Sequence, residues 1–394
     1  MESRENSNDG KFSCYDKVEM SLGRRNRKKI GILFGGPSRE HEVSLVSAAS
    51  ILKHIDTEKF DVVLVGVDQS GTWRLVSNEQ KKKALESESI TIAKDSPELQ
   101  LVSKGSSQKN FLVSPGQSDE KSIKIDIFFP MIHGAFGEDG GLQGVLEWAN
   151  MPYVGSGVLS SALAMDKELT KKLASSVEIP VVPYLTFYRH ESSKGVETLR
   201  GRVSDELGFP VFIKPASLGS SVGVHKVNNA AGLDEAFEDA FRYDNKIIIE
   251  KAIMGREIEF SVLEDLSNPS HPWVSQPGEI VSHHEFYSYE AKYIDEQGAD
   301  LIVPARLTGE QMNEAQLISK KIFIELGCSG YARVDLFLDQ EDQKFYLNEV
   351  NTIPGFTKIS MFPKLCEASG INYKDLITRL IEVAEKRFKE KKAL

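Results

Sequence analysis

Cysteine is scarce in this chain. Its 394 residues hold three, Cys14, Cys328 and Cys366, far apart and outside any CxxC or Cys/His cluster. That pattern excludes a disulfide-stapled scaffold and a structural zinc site. No apolar run approaches the roughly 18 residues of a membrane helix, and the polar start lacks the apolar stretch of a secretory signal. Basic residues are in deficit: 48 Lys+Arg against 58 Asp+Glu give a net charge of −10. Non-specific nucleic-acid binding, which needs a cationic surplus, is therefore not expected. With 40% hydrophobic residues and about 150 residues per domain, the length predicts two or three domains with buried cores. What remains is a soluble, cytoplasmic, multidomain enzyme with neither nucleic acid nor membrane as partner.

Residues 1–28 are polar, end in Arg24-Arg25-Asn26-Arg27-Lys28, and show no apolar period, which predicts a disordered extension. A basic contact or targeting role is the alternative, and Met20 is a second candidate start. Order is expected from Ile30-Gly31-Ile32-Leu33-Phe34, a strand, followed by Gly35-Gly36-Pro37-Ser38 and a helix with Leu45, Ala48, Ala49, Leu52 and Ile55 at helical spacing. With a strand at 61–67 this opens a βαβ unit and a parallel sheet. The polar, Ser/Lys-rich stretch 77–124 reads as a peripheral insertion, and the sheet resumes at 125–129. Beyond 155 the pattern predicts a helix near 158–175, strands at 184–188, 209–214, 222–227 and 246–250, and a helix at 230–243. Strands at 256–264, 331–339 and 344–350 and helices at 310–326 and 373–391 complete a mixed α+β second half.

The strongest local signal is Arg333-Val334-Asp335 followed by Asn348-Glu349-Val350-Asn351. A turn around 340–343 makes this a hairpin. If Asp335 lies opposite Glu349, Arg333 lies opposite Asn351, and alternation by two puts all four on one face. Val334, Leu336, Leu338, Val350 and Asn348 then share the other. Two carboxylates directly across a strand pair repel. With a carboxamide beside them they suit Mg²⁺, a hard cation with few protein ligands. A solvent-facing edge hairpin is the competing reading.

Other segments are open in isolation. Lys214 closes an apolar strand before Pro215-Ala216-Ser217-Leu218-Gly219-Ser220-Ser221-Val222-Gly223. Such a small-residue loop either cradles phosphate through backbone N–H groups or is a flexible turn. It is not a GxxxxGK[ST] loop. Glu250-Lys251 ends another apolar strand, either facing a purine or ribose or forming a surface pair. Lys167, in a small-residue helix, reads alone as a solvated position. His133-Gly134, at the C-terminal end of a parallel strand, stands where α/β folds bind ligands; His133 is a candidate to orient a substrate carboxylate, or is structural. Glu40 either caps a helix or serves a ligand.

Together these motifs resemble the D-alanine–D-alanine ligases of the ATP-grasp superfamily, in chain order from about residue 29 to 385. They comprise Gly35-Gly36-Pro37-Ser38-Arg39-Glu40-His41-Glu42-Val43-Ser44, His133-Gly134 with Gly137-Glu138-Asp139-Gly140, and Gly219-Ser220-Ser221-Val222-Gly223. Tyr289-Glu290-Ala291-Lys292-Tyr293 and Asn348-Glu349-Val350-Asn351-Thr352-Ile353-Pro354-Gly355 complete the set. The tail and the 77–124 stretch are expected to fall outside the match. The resemblance implies a Rossmann-like N-terminal domain (29–155) followed by a two-lobed ATP-grasp fold, with a central lobe (156–253) and a C-terminal lobe (254–394). It also implies ATP, two Mg²⁺ or Mn²⁺ ions, D-alanine as substrate and a homodimer.

By the same resemblance Lys214, Lys251 and Lys167 contact ATP phosphates beside the Ser220-Ser221 loop. Glu250 and Glu257 meet adenine and ribose, and Lys292 reaches the γ-phosphate. Asp335, Glu349 and Asn351 hold the metal. Glu40, Ser220 and Tyr293 close over the first D-alanine, Arg333 and Gly355 form the oxyanion site, and Ser360 with Met361 receives the second carboxylate. Met361 stands where leucine is commoner in the family, but the contact expected there is backbone. Relatives that use D-lactate lack the tyrosine found here at 293, which favours D-alanine as acceptor; a related ligase using D-lactate or D-serine is the alternative. An oxidoreductase reading lacks a clear GxGxxG, and a non-catalytic binding protein would not need an intact metal set.

Overall fold

The computed structural model describes residues 27–103, 111–117, 122–282 and 299–393. Most of the expected N-terminal extension with Met20, and the segment carrying Lys292 and Tyr293, lie outside these residues.

The first sheet has the order β3-β2-β1-β6, from β1 (Lys28–Gly35), β2 (Phe60–Val67), β3 (Trp73–Leu75) and β6 (Ile127–Met131). β1 pairs in parallel with β2 and with β6, as the strand-turn-helix-strand pattern predicts. Ile30, Ile32, Leu33 and Phe34 are fully buried, since a central parallel strand is covered on both faces. Helix α1 (His41–His54) covers one face with Leu45, Ala48, Ala49, Ile51 and Leu52.

The 77–124 stretch is not wholly peripheral. It contains α2 (Asn78–Glu86), closed by a Ser77/Gln80 capping box, and a small hairpin of β4 (Gln100–Val102) and β5 (Phe111–Val113). Ala84 and Ile90 join the core under α1, and Leu99 and Leu112 join the core on the opposite face. Apart from the three-residue run Phe111-Leu112-Val113, the apolar residues of this stretch are scattered among polar ones, so no sustained period marks them.

Helices α3 (Gly141–Trp148), α4 (Val158–Met165) and α5 (Lys167–Ser176) follow. The single helix expected over 158–175 is two. Asp166 leaves the helical region and its carboxylate accepts the Leu169 N–H as an N-cap, turning the chain before Lys167.

The second sheet is antiparallel, in the order β7-β10-β8-β9, from β7 (Tyr184–Tyr188), β8 (Val211–Pro215), β9 (His225–Val227) and β10 (Lys246–Lys251). Helix α6 (Ser192–Arg202) and amphipathic α7 (Leu233–Tyr243) close its core, α7 burying Leu233, Ala236, Phe237, Ala240 and Phe241.

The third sheet is built from β11 (Gly255–Leu263), β12 (Trp273–Val274), β13 (Gly278–Ser282), β14 (Ala299–Ile302), β15 (Tyr331–Asp339) and β16 (Phe345–Asn351). Its main path is β14-β13-β11-β15-β16, with β12 on β11. Helix α8 (Gly309–Glu325), with a Thr308/Gln311 capping box, packs Ala315, Ile318, Ile322 and Phe323 on its apolar face. Helix α9 (Met361–Ala368) and α10 (Tyr373–Ala393) end the chain, and Leu376, Ile377, Leu380 and Ile381 of α10 share one core with β1 and α1 of the first sheet. No helix among the described residues is long and apolar enough to cross a membrane.

Candidate active site

The β15–β16 hairpin has the register read from the sequence: Arg333 opposite Asn351 and Asp335 opposite Glu349. A bulge follows Asp335, so Leu336 faces Leu347 rather than Asn348. The expected place of Asn348 among the apolar residues is thus corrected. One extra residue on β16 brings fully buried Leu347 into the core and leaves Asn348 at its margin.

β11 extends the polar face. Glu259 lies opposite Asp335 from the other side, so Glu259, Asp335 and Glu349 form a row of three carboxylates across three strands. The next row is Ser261, Arg333 and Asn351. Glu259 and Asp335 are 1% exposed. The cost of burying like charges side by side is met by local cations. Arg333 donates from Nε to Asp335 Oδ1 at 2.7 Å and from Nη2 to Oδ2 at 2.6 Å, and its Nε stands 3.2 Å from Glu259. Asn351 Nδ2 donates to Asp335 at 2.9 Å, and Lys167 Nζ lies 3.6 Å from Glu349. Burial alone would lower the Arg333 pKa, but Asp335 and Glu259 outweigh it and hold the guanidinium well above its ordinary value.

Glu257, expected on a ribose, has a carboxylate oxygen within 4.8 Å of oxygens of Glu259 and Asp335. This oxygen-only donor set, with Glu349 and Asn351 beside it, fits a hard divalent cation such as Mg²⁺ or Mn²⁺. Glu259 was not singled out in the sequence, although its spacing of two from Glu257 was the available signal.

The second sheet supplies the cations. Lys214 of β8 lies 2.6 Å from Glu250 of β10, whose other oxygen lies 2.9 Å from Lys171. Lys171 is fully buried and also donates to the Leu347 carbonyl of β16 at 3.2 Å, tying the two sheets together. Burial lowers the Lys171 pKa although Glu250 opposes it, while for Lys214 the opposing pull of Glu250 wins and raises it. Lys171 is a residue the sequence reading missed; its spacing of four from Lys167 puts both on one helix face. Lys251 is exposed and, as the strand neighbour of buried Glu250, points to the opposite face. The structure therefore does not bring it to the Lys214 side.

Lys167 Nζ donates to the Leu218 carbonyl at 2.7 Å and anchors the small-residue loop. Ser220, Ser221 and Gly223 there have φ of +53°, +56° and +67°. These left-handed residues make a tight turn, a conformation in which backbone N–H groups can receive an anion. The hydroxyl of Ser220 donates to Glu40, which stands at the N-cap of α1 without making a capping bond. Its carboxylate instead bridges the first and second sheets. Gly134, at φ +73°, gives it room: a Cβ there would lie 2.4 Å from Glu40 Oε2.

A cavity of about 950 Å³ opens among these parts, lined by Glu40, His133, Ser220, Arg333, Gly355 and Ser360. Both ring nitrogens of His133 face protein partners, Nδ1 the Ile353 carbonyl at 2.9 Å and Nε2 the Ser47 hydroxyl at 3.1 Å. The Ser360 hydroxyl lies 3.0 Å from the Thr357 N–H, which donates to it, and precedes α9 as its N-cap residue, with buried Met361 first in the helix.

Two antiparallel sheets facing across a cleft, one bearing lysines and the tight Ser220-Ser221 turn and the other a carboxylate row, define the chain as an ATP-grasp protein. Family models described as "D-ala D-ala ligase N-terminus" and "D-ala D-ala ligase C-terminus" match residues 29–156 and 173–382, the first running through the 77–124 stretch expected to lie outside. The D-alanine–D-alanine ligase A of Bradyrhizobium diazoefficiens is 44% identical, with 93% of this chain and 97% of that protein covered. The D-alanine–D-alanine ligase of Oceanobacillus iheyensis is 45% identical, covering 92% and 96%. The D-alanine–D-alanine ligase of Coxiella burnetii superposes with a TM-score of 0.79 at 35% identity, covering 94% of this chain and 97% of that one. The VanG D-Ala:D-Ser ligase of Enterococcus faecalis also superposes at 0.79 and 35%, covering 91% and 99%. The chain belongs to the D-alanine–D-alanine ligase family.

Proposed function

We propose that this chain joins two D-alanine molecules into D-alanyl-D-alanine for peptidoglycan precursor synthesis, consuming ATP and passing through D-alanyl phosphate. The observation that carries the reading is the single cavity shared by Glu40, Arg333, Gly355 and Ser360, with the Asp335 carboxylate row beside it.

A carboxylate is a poor electrophile, so the first D-alanine takes the γ-phosphoryl group of ATP and becomes an acyl phosphate. This transfer depends on positioning and charge neutralisation. Lys214 and Lys167 supply positive charge, and the backbone N–H groups around Ser220 and Ser221 receive phosphate oxygens. Glu250 holds Lys214 in place, and Glu257 stands at the nucleotide end. Asp335, Glu349 and Asn351 would hold the divalent metal, taken as two Mg²⁺ or Mn²⁺ ions, which neutralises phosphate charge. Glu40 receives the ammonium of the first D-alanine.

The second D-alanine enters with its carboxylate at Ser360 and the Met361 N–H, and its free amine attacks the acyl carbon. The oxyanion that develops is stabilised by Arg333 and the Gly355 N–H. Acyl phosphates hydrolyse, so water must be excluded, the task assigned to the segment bearing Lys292 and Tyr293. Family membership supports extending the proposal to a homodimer in the cytoplasm.

Turnover of Mg-ATP with D-alanine, with and without D-lactate or D-serine, and mass identification of the products tests this reading. D-alanyl-D-alanine as the dominant product supports it. A dominant D-alanyl-D-serine would make this chain resemble its Enterococcus neighbour in acceptor, and no D-alanine-dependent phosphate release would remove the substrate assignment.

A further inference from the structure

Helix α1 buries three serines at spacings of three, Ser44, Ser47 and Ser50, and each makes a cross-link. Ser44 accepts the Gly35 N–H at 2.6 Å and donates to the Met131 carbonyl, binding the ends of two parallel strands. Ser50 meets the Tyr373 hydroxyl at 3.0 Å. Ser47 is the middle one. Its hydroxyl oxygen accepts the Phe356 N–H at 3.2 Å and lies 3.1 Å from His133 Nε2.

The other nitrogen of His133 completes a clamp. A carbonyl can only accept, so Nδ1 carries the proton it gives to Ile353, and the orientation of the ring is set. Ser47 and His133 thus hold both ends of the turn Ile353-Pro354-Gly355-Phe356. The Phe356 carbonyl accepts from the Tyr373 hydroxyl, and the fully buried Phe356 ring packs among Phe129, Tyr331 and Phe362. Gly355 has no room for a side chain in this turn: a Cβ there would lie 2.6 Å from the Ser360 hydroxyl, so the two residues are closely apposed.

We propose that Ser47 and His133 are positioning residues for the amide-forming step, fixing the Gly355 N–H and the adjoining Ser360 relative to Arg333. This rests on the ligase reading above and deepens it. With both nitrogens committed to protein, His133 acts on the turn and not on a substrate carboxylate. The first sheet thereby sets the geometry in which the second D-alanine attacks, although neither residue touches the phosphoryl group.

The two steps can be timed separately by single-turnover rapid quench, following ATP loss and dipeptide formation with Mg-ATP and D-alanine. Ser47→Ala is expected to keep the rate of ATP loss and to slow dipeptide formation about 10²-fold, the scale of a misplacement near 1 Å. Ser47→Thr, which restores the hydroxyl, is expected to recover most of it. Equal slowing of both steps, unchanged dipeptide formation, or failure of Ser47→Thr to rescue would overturn the proposal. If Ser47→Ala does not fold, His133→Asn, which keeps a donor near the Nδ1 position but loses Nε2, carries the same comparison. Absence of dipeptide from the wild-type protein would remove the ligase reading itself, a result distinct from failure of the clamp.

Discussion

Arg333 and Asp335, two residues apart on one face of β15, are joined by a bidentate pair of hydrogen bonds of 2.7 and 2.6 Å. The carboxylate proposed to hold metal is thus also the principal partner of the guanidinium proposed to stabilise the oxyanion. A cation that takes Asp335 competes with the guanidinium for the same carboxylate, while Glu259, 3.2 Å from the same guanidinium, is placed to retain Arg333.

Metal affinity should therefore rise when Arg333 is removed. Hydrogen bonds to charged groups are worth about 1.5–3 kcal/mol, so Arg333→Met should tighten Mn²⁺ binding to the nucleotide-free protein about tenfold or more. Ligation should fall steeply in the same variant. Titration of Mn²⁺ followed by its EPR signal measures the affinity, and weaker binding in the variant would contradict this competition.

Lys171 should matter to stability more than its place in a lysine-dense helix suggests. Removing one partner of a buried ion pair costs about 3–5 kcal/mol. Lys214 remains beside Glu250, so Lys171→Met should lie near the lower end of that range. Lys171→Met with Glu250→Leu should be more destabilised than Lys171→Met alone, because Lys214 is then left without its carboxylate partner. Urea unfolding of the two variants decides; a double variant as stable as the single one, or more stable, would show that the ion pairs of Glu250 are not the cause.

These residues also mark how far the sequence was readable. The face shared by Arg333, Asp335, Glu349 and Asn351 followed from a period of two and a short turn, both local properties. The bulge that exchanges Asn348 for Leu347 did not, since one extra residue leaves no trace in the alternation before it. Glu259 and Lys171 were hidden for another reason. Their burial depends on strands and helices far away in the chain, and charged residues at such spacings are ordinarily solvated. Ser47, between Val46 and Ala48, carries no signal of its own in the sequence, because a buried hydroxyl is informative only once its partners at 133 and 356 are known.

The same buried pair predicts an acid-side effect. Burial would raise the Glu250 pKa, but Lys171 and Lys214 outweigh it and hold the carboxyl down at about 2 against an ordinary 4.5. A folded-state pKa below the unfolded one stabilises the fold above pH 4.5, and that contribution is lost as pH falls from there toward 2. Glu250→Gln should therefore show a shallower loss of stability below pH 4.5 than the wild-type protein. Denaturant midpoints at pH 6, 4 and 3 test this, and parallel curves would contradict it.

Gly134 should be intolerant of a side chain. Gly134→Ala drives a Cβ to 2.4 Å from Glu40 Oε2 at a left-handed φ of +73°. Displacing that carboxylate should break its bridge to Ser220 and raise the KM of the first D-alanine about tenfold, the scale of one charge-assisted hydrogen bond. Steady-state kinetics at saturating ATP give the number. An unchanged KM would show that Glu40 does not receive the first substrate.

The central claim is activation of one D-alanine through its own carboxylate, and isotope transfer tests it most directly. D-alanine labelled with ¹⁸O in the carboxylate should pass one labelled oxygen into the phosphate released with each dipeptide, because the acyl phosphate breaks at the carbonyl carbon. Phosphate free of ¹⁸O while D-alanyl-D-alanine forms would contradict the account, since the γ-phosphoryl group would then never have been bonded to the substrate acid.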